Sequence, residues 1–161
     1  MSTTTVQPRW SWAFFDDLRP LDLYDILELR SSVFIVEQNC AYQDVDGADR
    51  LCHHLWTRSA DGSVAAYLRV VPPGVKYEEP SLGRIASSPA ARRTGLGRAL
   101  VREGILRAEK LYGACSIRIG AQRYLLRFYE EFGFVSTGLE YDEDDIPHTE
   151  MLRPVGGRAR P

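Results

Sequence analysis

Two glycines and three arginines follow a predicted strand in a pattern suited to binding an anion. Within residues 81–111, an apolar segment ends near Ser87, Pro89 breaks it, and Gly95 and Gly97 precede a helical pattern. Without Cβ atoms these glycines let the backbone approach a ligand closely, and the first amides of a helix have no intrahelical acceptor. Positive charge at the same place comes from Arg92, Arg93 and Arg98. The stretch therefore predicts a turn that binds a diphosphate.

This turn differs from the two common phosphate-binding loops. A Walker loop ends in Gly-Lys-Ser/Thr and a dinucleotide-binding fingerprint needs a third glycine, and the segment has neither. A structural alternative stays open, in which the glycines only begin a helix and the arginine pair is solvated. A second, independent motif is needed to decide the function.

A polar loop at residues 37–50 is the next stretch that could do chemistry. Its carboxylates Asp44, Asp46 and Asp49 have a spacing loosely suggestive of calcium, but the register and the terminal glutamate of an EF-hand loop are missing. A solvated turn is the alternative, because Asp and Gly favour turns.

The three cysteines, Cys40, Cys52 and Cys115, are odd in number and far apart, which indicates reduced thiols rather than a disulfide framework. Cys52 precedes His53 and His54 in a run that suggests zinc, but no second spaced pair of ligands completes four. We therefore predict no metal site.

The elements that must position these residues alternate in a mixed α/β order. Periodicity predicts strands at residues 10–15, 53–57, 64–71, 82–87, 116–121, 135–141 and 149–153, and helices at residues 22–36, 96–111 and 124–132. Asp22 and Asp25 resemble the cap and the reciprocal partner that begin the first helix. Residues 142–147 are expected to form an acidic loop between the last two strands.

Composition limits the functional classes. With 161 residues, 44% of them hydrophobic, the chain has the size and the core of one domain. A net charge of -2 without a Lys/Arg block gives no field that favours nucleic acid. The N-terminus lacks the apolar core of a signal peptide, and no run approaches membrane-spanning length. We expect a cytoplasmic protein that binds neither nucleic acid nor membrane.

A second motif supports the first. Ile119-Gly120-Ala121-Gln122 is followed by Leu125 and by the run Phe128-Tyr129-Glu130-Glu131-Phe132-Gly133-Phe134. Together with Arg84-Ile85-Ala86-Ser87 and Arg92-x-x-Gly95-x-Gly97, in this order, it resembles the GNAT superfamily of N-acetyltransferases. Gln122 stands where that family usually has Asn.

The likeness extends to the ElaA-like group of that superfamily. It is carried by the run from Leu29-Arg30 through Val33-Phe34 and Glu37-Gln38-Asn39-Cys40 to Tyr42-Gln43-Asp44, and by Ile146-Pro147-His148. The resemblance implies a GNAT fold, with a mixed, mostly antiparallel twisted sheet of about seven strands, splayed central strands and helices on both faces. The expected GNAT domain spans residues 10–154, between a flexible N-terminus at residues 1–9 and a flexible tail at residues 155–161.

The resemblance also implies acetyl-CoA as the cosubstrate. It assigns acetyl-CoA binding to the backbone of Ile85, Ala86 and Ser87 along the strand, where main-chain amides would also stabilise an oxyanion. It assigns the pyrophosphate to the turn of Arg92, Arg93, Thr94, Gly95, Leu96, Gly97 and Arg98. The resemblance also makes the longer amide of Gln122 an expected partner for the pantetheine chain.

Tyr129 takes the position of the general acid in this resemblance. An ordinary phenol, with a pKa of about 10, is protonated at neutral pH and can donate to the departing thiolate. The alternative is a packed tyrosine whose hydroxyl bonds to the backbone.

The general base stays open among Glu37, His148 and His54, because an alkylamine is mostly protonated at pH 7 and must lose a proton. In this fold Glu37 and His148 border the acceptor side. His53 and His54 neighbour each other on a strand, so one should point inward. A lone histidine is otherwise a hydrogen-bonded structural residue. Acidic loops at residues 44–49 and 142–145 would together favour a cationic amine, unless both are solvated turns.

These residues predict transfer of an acetyl group from acetyl-CoA to a primary amine by direct attack on the thioester. One alternative is a non-catalytic acetyl-CoA-binding regulatory module. Another is an acyl-homoserine-lactone-type acyltransferase, suggested by the run Arg30-x-x-Val33-Phe34. The expected acceptor is a small-molecule or peptide amine, and the sequence leaves a homodimer open.

Overall fold

The computed structural model describes residues 7–157, so residues 1–6 and 158–161 of the predicted flexible ends lie outside the described part. The strands are β1 (Ser11–Phe14), β2 (His53–Arg58), β3 (Val64–Val71), β4 (Ser81–Ser87), β5 (Ile117–Gln122), β6 (Val135–Glu143) and β7 (Ile146–Arg153). The α-helices are α1 (Pro20–Arg30), α2 (Leu96–Tyr112) and α3 (Leu126–Glu130). The predicted alternation of strands and helices is confirmed.

The described strands form two antiparallel sheets that meet side by side. One has the order β1-β2-β3-β4 and the other β5-β7-β6. β4 and β5 run in the same direction, and the amide of Arg118 donates to the carbonyl of Pro80 at 3.1 Å where both strands begin. Beyond that bond the two strands belong to separate sheets. The predicted mixed α/β fold with seven strands and a splayed central pair is therefore confirmed, with the described strands divided into sheets of four and three.

Helices cover both faces of the larger sheet because β3 is apolar on both faces. Every residue of β3 is buried. Leu68 packs in a cluster with Leu100 and Ile105 of α2, whereas Tyr67 packs on the opposite side with Ile26 and neighbouring apolar residues of α1. The sequence of a strand that is buried on both faces is continuously apolar, instead of alternating between apolar and polar residues.

The first helix begins earlier than the sequence predicted. Pro20 stands in its first turn, where its missing amide costs nothing. Asp22 is therefore not the cap, and its carboxylate instead receives Arg19 at 2.6 Å and Arg58 at 2.7 Å. After Arg30 the chain continues as a π-helix, Ser31–Glu37. The helical run thus ends where the sequence indicated, but its last turns are wider.

β4 contains a bulge. Between the pairs Tyr67–Ala86 and Arg69–Gly83, β4 has one residue more than β3. Within the bulge Arg84 takes φ +51°, the left-handed region that residues with side chains rarely adopt. The surrounding structure must hold Arg84 in this conformation.

The predicted acidic loop at residues 142–147 is wrong. Glu143 pairs with Ile146, so only Asp144 and Asp145 connect β6 to β7. Their φ angles are +52° and +62°, as a two-residue hairpin turn with the twist of its strands requires. Asp tolerates this conformation better than most residues, which explains a tight turn without glycine.

Among residues 7–157, no helix combines the length and the apolar character needed to cross a lipid bilayer.

Candidate active site

A cleft of about 560 Å³ opens between β4 and β5. The π-helix, the turn before α2, α3 and the β6–β7 hairpin complete its walls. The predicted site residues that border it are Glu37, Ile85, Ala86, Ser87, Arg92, Arg93, Gly95, Gly97, Arg98, Gln122, Tyr129 and His148. The two sequence motifs therefore meet at one place, whereas Thr94, Leu96 and His54 lie outside the lining.

The glycine turn leaves room beside the start of α2. Gly95 precedes the helix with φ +86°, which glycine adopts without strain. Thr94 Oγ1 accepts the amide of Leu96 at 3.4 Å, so Thr94 supports the turn instead of facing the cleft. A Cβ on Gly97 would have no atom within 4 Å. Because packing does not demand glycine at position 97, the open space fits a ligand held against the first amides of α2.

Two of the three arginines of this turn are engaged by carboxylates. Arg92 Nη2 lies 2.9 Å from Glu37 Oε2, and Arg98 makes bonds of 2.7 and 2.9 Å to Glu131. Arg93, at φ +63°, forms no ion pair with a residue in the range 7–157. The free positive charge is thus smaller than three arginines alone suggest. An anion bound here would depend on main-chain amides together with Arg93.

The edge of β4 that faces β5 presents main-chain groups to the cleft. Ser88 donates its amide to β3 at 2.8 Å, and hydrogen bonding alternates along an antiparallel pair. Ala86 therefore bonds to β3, while Ile85 and Ser87 face away from it. A 3.3 Å bond from Arg92 Nη2 to the Ser87 carbonyl agrees with this direction. Ala86 also borders the cleft, and in this register its main-chain groups pair with β3.

Tyr129 is buried in α3 with 6% of its surface exposed. Its ring packs edge-on against Phe128 and Phe134, at centroid distances of 5.1 and 6.0 Å. Burial raises the pKa of its hydroxyl, so the phenol is protonated at neutral pH, and no hydrogen bond from the described residues acts on it. The hydroxyl thus lacks the backbone bond that a purely structural tyrosine would have.

Gln122 ends β5 and donates its Nε2 to Gln38 Oε1 at 3.3 Å. Gln38 directly follows the π-helix, so this bond joins two walls of the cleft. The longer amide at position 122 therefore reaches into the cleft, as its proposed contact with the pantetheine chain needs.

His148 of β7 borders the cleft. Its Nδ1 lies 2.7 Å from the carbonyl oxygen of Ile146. Because a carbonyl only accepts, Nδ1 carries hydrogen, and Nε2 of the neutral ring has a free lone pair. Tyr141 stacks on the ring at 5.5 Å, and Glu143 Oε2 lies 3.7 Å from Nε2. A proton taken up at Nε2 would lie beside this carboxylate, which suits a general base.

The other candidate bases are placed less favourably. His54 is fully buried, with its ring nitrogens 2.8 Å from Tyr67 Oη and 3.0 Å from the carbonyl of Asp49. Burial lowers its pKa, so it is a neutral structural residue, and the structure does not bring it to the cleft. Glu37 does border the cleft, but Arg92 holds its carboxylate.

Three arginines and three aspartates alternate in a closed ring beside the cleft, which we call the arginine–aspartate ring. Arg30 pairs with Asp44 and Asp49, Arg69 with Asp49 and Asp46, and Arg84 with Asp46 and Asp44, at N–O distances of 2.6–3.3 Å. Each charge therefore has two partners of opposite sign, and the ring is electrically neutral.

This ring overturns both interpretations of residues 44–49. Asp44 and Asp49 are each only 4% exposed, so the segment is not a solvated turn. Their oxygens receive arginines, which leaves no calcium site and no net negative field from this segment. In residues 7–157 no three His, Cys, Asp or Glu side chains are grouped to hold a metal ion.

Arg69 and Arg84 border the cleft, and the sequence reasoning missed both as site residues. A signal was present: Arg69 interrupts an otherwise apolar strand, and Arg30 lies on the buried side of α1. A buried arginine needs a carboxylate, because an unpaired buried charge is very costly. The aspartates of residues 44–49 were the available partners.

Comparison with known proteins agrees with this geometry. The family model described as an acetyltransferase (GNAT) domain matches residues 35–153. A UPF0039 protein of Synechocystis is 41% identical over 143 residues, which cover 89% of this chain and 93% of that protein. The crystal structure of an acyl-CoA N-acyltransferase from Pseudomonas aeruginosa has a TM-score of 0.85 and 40% identity, covering 91% of this chain and 99% of that one. The crystal structure of Escherichia coli ElaA has a TM-score of 0.84 and 33% identity, with the same coverage of 91% and 99%.

The fold and the cleft between splayed strands are those of an acyltransferase that uses an acyl-CoA cosubstrate. The chain belongs to the GNAT acetyltransferase family, and the UPF0039 proteins and ElaA are its homologues.

Proposed function

We propose that this protein is an N-acetyltransferase that transfers the acetyl group of acetyl-CoA to a primary amine. The observation that carries the proposal is the cleft itself. There the main-chain groups of Ile85, the amide of Ser87, the open turn at Gly97 and the unbonded hydroxyl of Tyr129 border one space.

The two motifs divide the work of holding the cosubstrate. The first amides of α2 and Arg93 bind the diphosphate, because a helix N-terminus and a cation both favour an anion. The main-chain groups of Ile85 and the amide of Ser87 bond the pantetheine chain, as a neighbouring strand would. Gln122 assists from the opposite wall. Acetyl-CoA supplies the activated carbonyl carbon for the transfer.

The side chains of the cleft then handle the protons. The amine nitrogen attacks the thioester carbonyl, a C–N bond forms, and the C–S bond breaks. His148 Nε2 accepts the proton that the amine loses, and Tyr129 donates its hydroxyl proton to the departing sulfur. The products are an N-acetyl amide and the free thiol of CoA. The imidazolium and the phenolate return to their starting forms by exchange with water.

The acceptor enters beside the β6–β7 hairpin. Glu143 and Asp144 border the cleft there, whereas the arginine–aspartate ring contributes no net charge. A cationic small molecule or a peptide amine therefore fits this side, because its positive charge would be drawn to these two carboxylates.

Release of free CoA thiol from acetyl-CoA tests the proposal, measured across polyamines, aminoglycosides, amino acids and peptides with free N-termini. Thiol release that depends on one amine class, with the matching N-acetyl product seen by mass spectrometry, supports it. Tight acetyl-CoA binding without turnover on any amine supports the regulatory module instead. Faster release from longer acyl-CoA thioesters would assign another acyl group, and failure to bind any CoA thioester would overturn the proposal.

A further inference from the structure

The bulge of β4 carries backbone strain at the point where this strand turns its main chain toward the cleft. Arg84 has φ +51°, in the left-handed region where the Cβ of a side chain lies too close to the following carbonyl oxygen. Ile85, the next residue, faces the gap between the splayed strands. A strained residue persists only where its surroundings over-determine it.

The side chain of Arg84 supplies that restraint. Its Nη2 donates to the carbonyl of Asp44 at 3.1 Å and lies 3.3 Å from Asp46 Oδ2. Its Nε lies 2.8 Å from Asp44 Oδ1, without the alignment of a hydrogen bond. The guanidinium also lies over the ring of Tyr42 at 5.5 Å. One side chain therefore ties the bulge to residues 42–46 through four contacts.

Because of the arginine–aspartate ring, removal of Arg84 should affect mainly the bulge. Asp44 keeps Arg30 and Asp46 keeps Arg69 when Arg84 is removed, so neither aspartate loses every cation. Arg84 is the member of the ring that lies on β4. Its loss should therefore free the bulge more than it destabilises the whole chain.

We propose that Arg84 is a positioning residue for the transfer, which holds the Ile85 main chain in the direction that orients the thioester carbonyl. This inference rests on the proposed function. Arg84 acts through the bulge and makes no contact with the reacting atoms. Its loss should therefore affect the chemical step more than cosubstrate binding, because the diphosphate is held at the distant turn at Gly97, which Arg84 does not contact.

The test compares Arg84→Ala with Arg58→Ala. Arg58 is a matched control, because it also bridges two aspartates, Asp22 and Asp25, but lies outside the cleft. We expect kcat of Arg84→Ala to fall roughly tenfold to a hundredfold, because a misplaced main-chain donor loses much of its effect. We expect KM for acetyl-CoA to change less than about threefold, since binding energy from the helix terminus is retained. Arg58→Ala should keep both constants.

Two further variants separate strain from anchoring. Arg84→Lys keeps a cation near the aspartates and should recover part of the activity. Arg84→Gly allows φ +51° without strain, so it should be more stable than Arg84→Ala, the reverse of the usual order in strands. If Arg84→Ala retains the kcat of the wild-type protein, the positioning role is wrong while the proposed function stands.

A readout without turnover keeps the test independent of the acceptor. Exchange of the Ala86 amide, which bonds to β3 next to the bulge, should be about tenfold faster in Arg84→Ala and unchanged in Arg58→Ala. Equal protection in the wild type and in Arg84→Ala would overturn the proposal even if no amine were ever acetylated. If the wild-type protein binds no CoA thioester but Arg84→Ala still shows the faster exchange, the anchoring of the bulge by Arg84 is supported and the proposed function is wrong.

Discussion

Gly97 offers a perturbation whose effects on stability and on cosubstrate binding should have opposite signs. A Cβ at this position meets no atom within 4 Å, and Gly97 lies in the first turn of α2 with no left-handed φ. Folding therefore gives no reason for glycine, which is a poorer helix former than alanine. The proposed reason is the close approach of the diphosphate.

The expected sizes follow from these two roles. Glycine is about 1 kcal/mol less favourable than alanine inside a helix and somewhat less so in the first turn. Gly97→Ala should therefore raise Tm by about 1–4 °C, given roughly 2–4 °C per kcal/mol for a chain of this size. One hydrogen bond to a charged group is worth about 1.5–3 kcal/mol. If the methyl group prevents one amide from reaching the diphosphate, Kd for CoA should rise about 10- to 150-fold.

Gly97→Asp sharpens the test. A carboxylate in the first turn favours the helix by about 0.3–1 kcal/mol, so the unliganded variant should be no less stable than the wild type. Beside a diphosphate the same charge is repulsive, and CoA binding should be lost. Gly95→Ala is the contrast, because φ +86° makes any side chain at that position strained and the variant less stable.

Thermal unfolding without ligand and isothermal calorimetry with CoA measure both quantities on the same samples. The reasoning predicts a Gly97→Ala protein that is more stable and binds CoA more weakly. Wild-type affinity in Gly97→Ala and Gly97→Asp would refute the placement of the diphosphate at this turn. The assignment of the cleft as the acetyl-CoA site would then also be wrong.

Three further outcomes are expected. Tyr129→Phe should lower kcat about 10²- to 10⁴-fold with little change in Kd for CoA, since a general acid acts only in the reaction; an unchanged thiol-release rate would remove this role. Glu37→Gln should tighten CoA binding about 1.4- to 5-fold by freeing Arg92, because a half-exposed ion pair is worth about 0.2–1 kcal/mol; calorimetry showing weaker binding would contradict this. Burial opposes ionisation of Asp46 and Asp49, but their bonds to arginines outweigh it and lower the pKa of both. Their contribution to stability should be present above pH about 4 and lost as pH falls further, because the unfolded chain then binds more protons. In denaturant titrations, the free energy of unfolding of Asp46→Asn should fall less steeply with decreasing pH than that of the wild type. An equally steep fall would show that the Asp46 carboxylate does not cause the acid sensitivity.

Local patterns predicted most of the architecture. Hydrophobic periodicity located the strands and α2, and the order of two motifs indicated one cleft before any contact was known. Glycine spacing identified the turn at Gly95 and Gly97, because backbone conformation and helix termini depend on nearby residues alone.

The misplaced features depend on residues distant in the chain. The residues around Asp44 and Asp49 favoured a solvated turn, because the local sequence does not show that Arg30 and Arg69 pack against these aspartates in the fold. The sequence also does not show that Ala86 pairs with Tyr67 of β3, because strand register is not specified by β4 alone. Asp144 and Asp145 form a turn that more often contains Asn-Gly, so a longer loop was the natural expectation.

The main-chain bond between Pro80 and Arg118 helps to explain why the gap and the helix terminus occur together. β4, α2 and β5 form one crossover between two parallel strands, so the helix must start at the carboxyl end of β4. The strands touch at their beginnings and separate toward those carboxyl ends. The topology alone therefore places the N-terminus of α2, with its unpaired amides, at the open end of the cleft between β4 and β5. Ligand sites in parallel α/β units generally lie at this position.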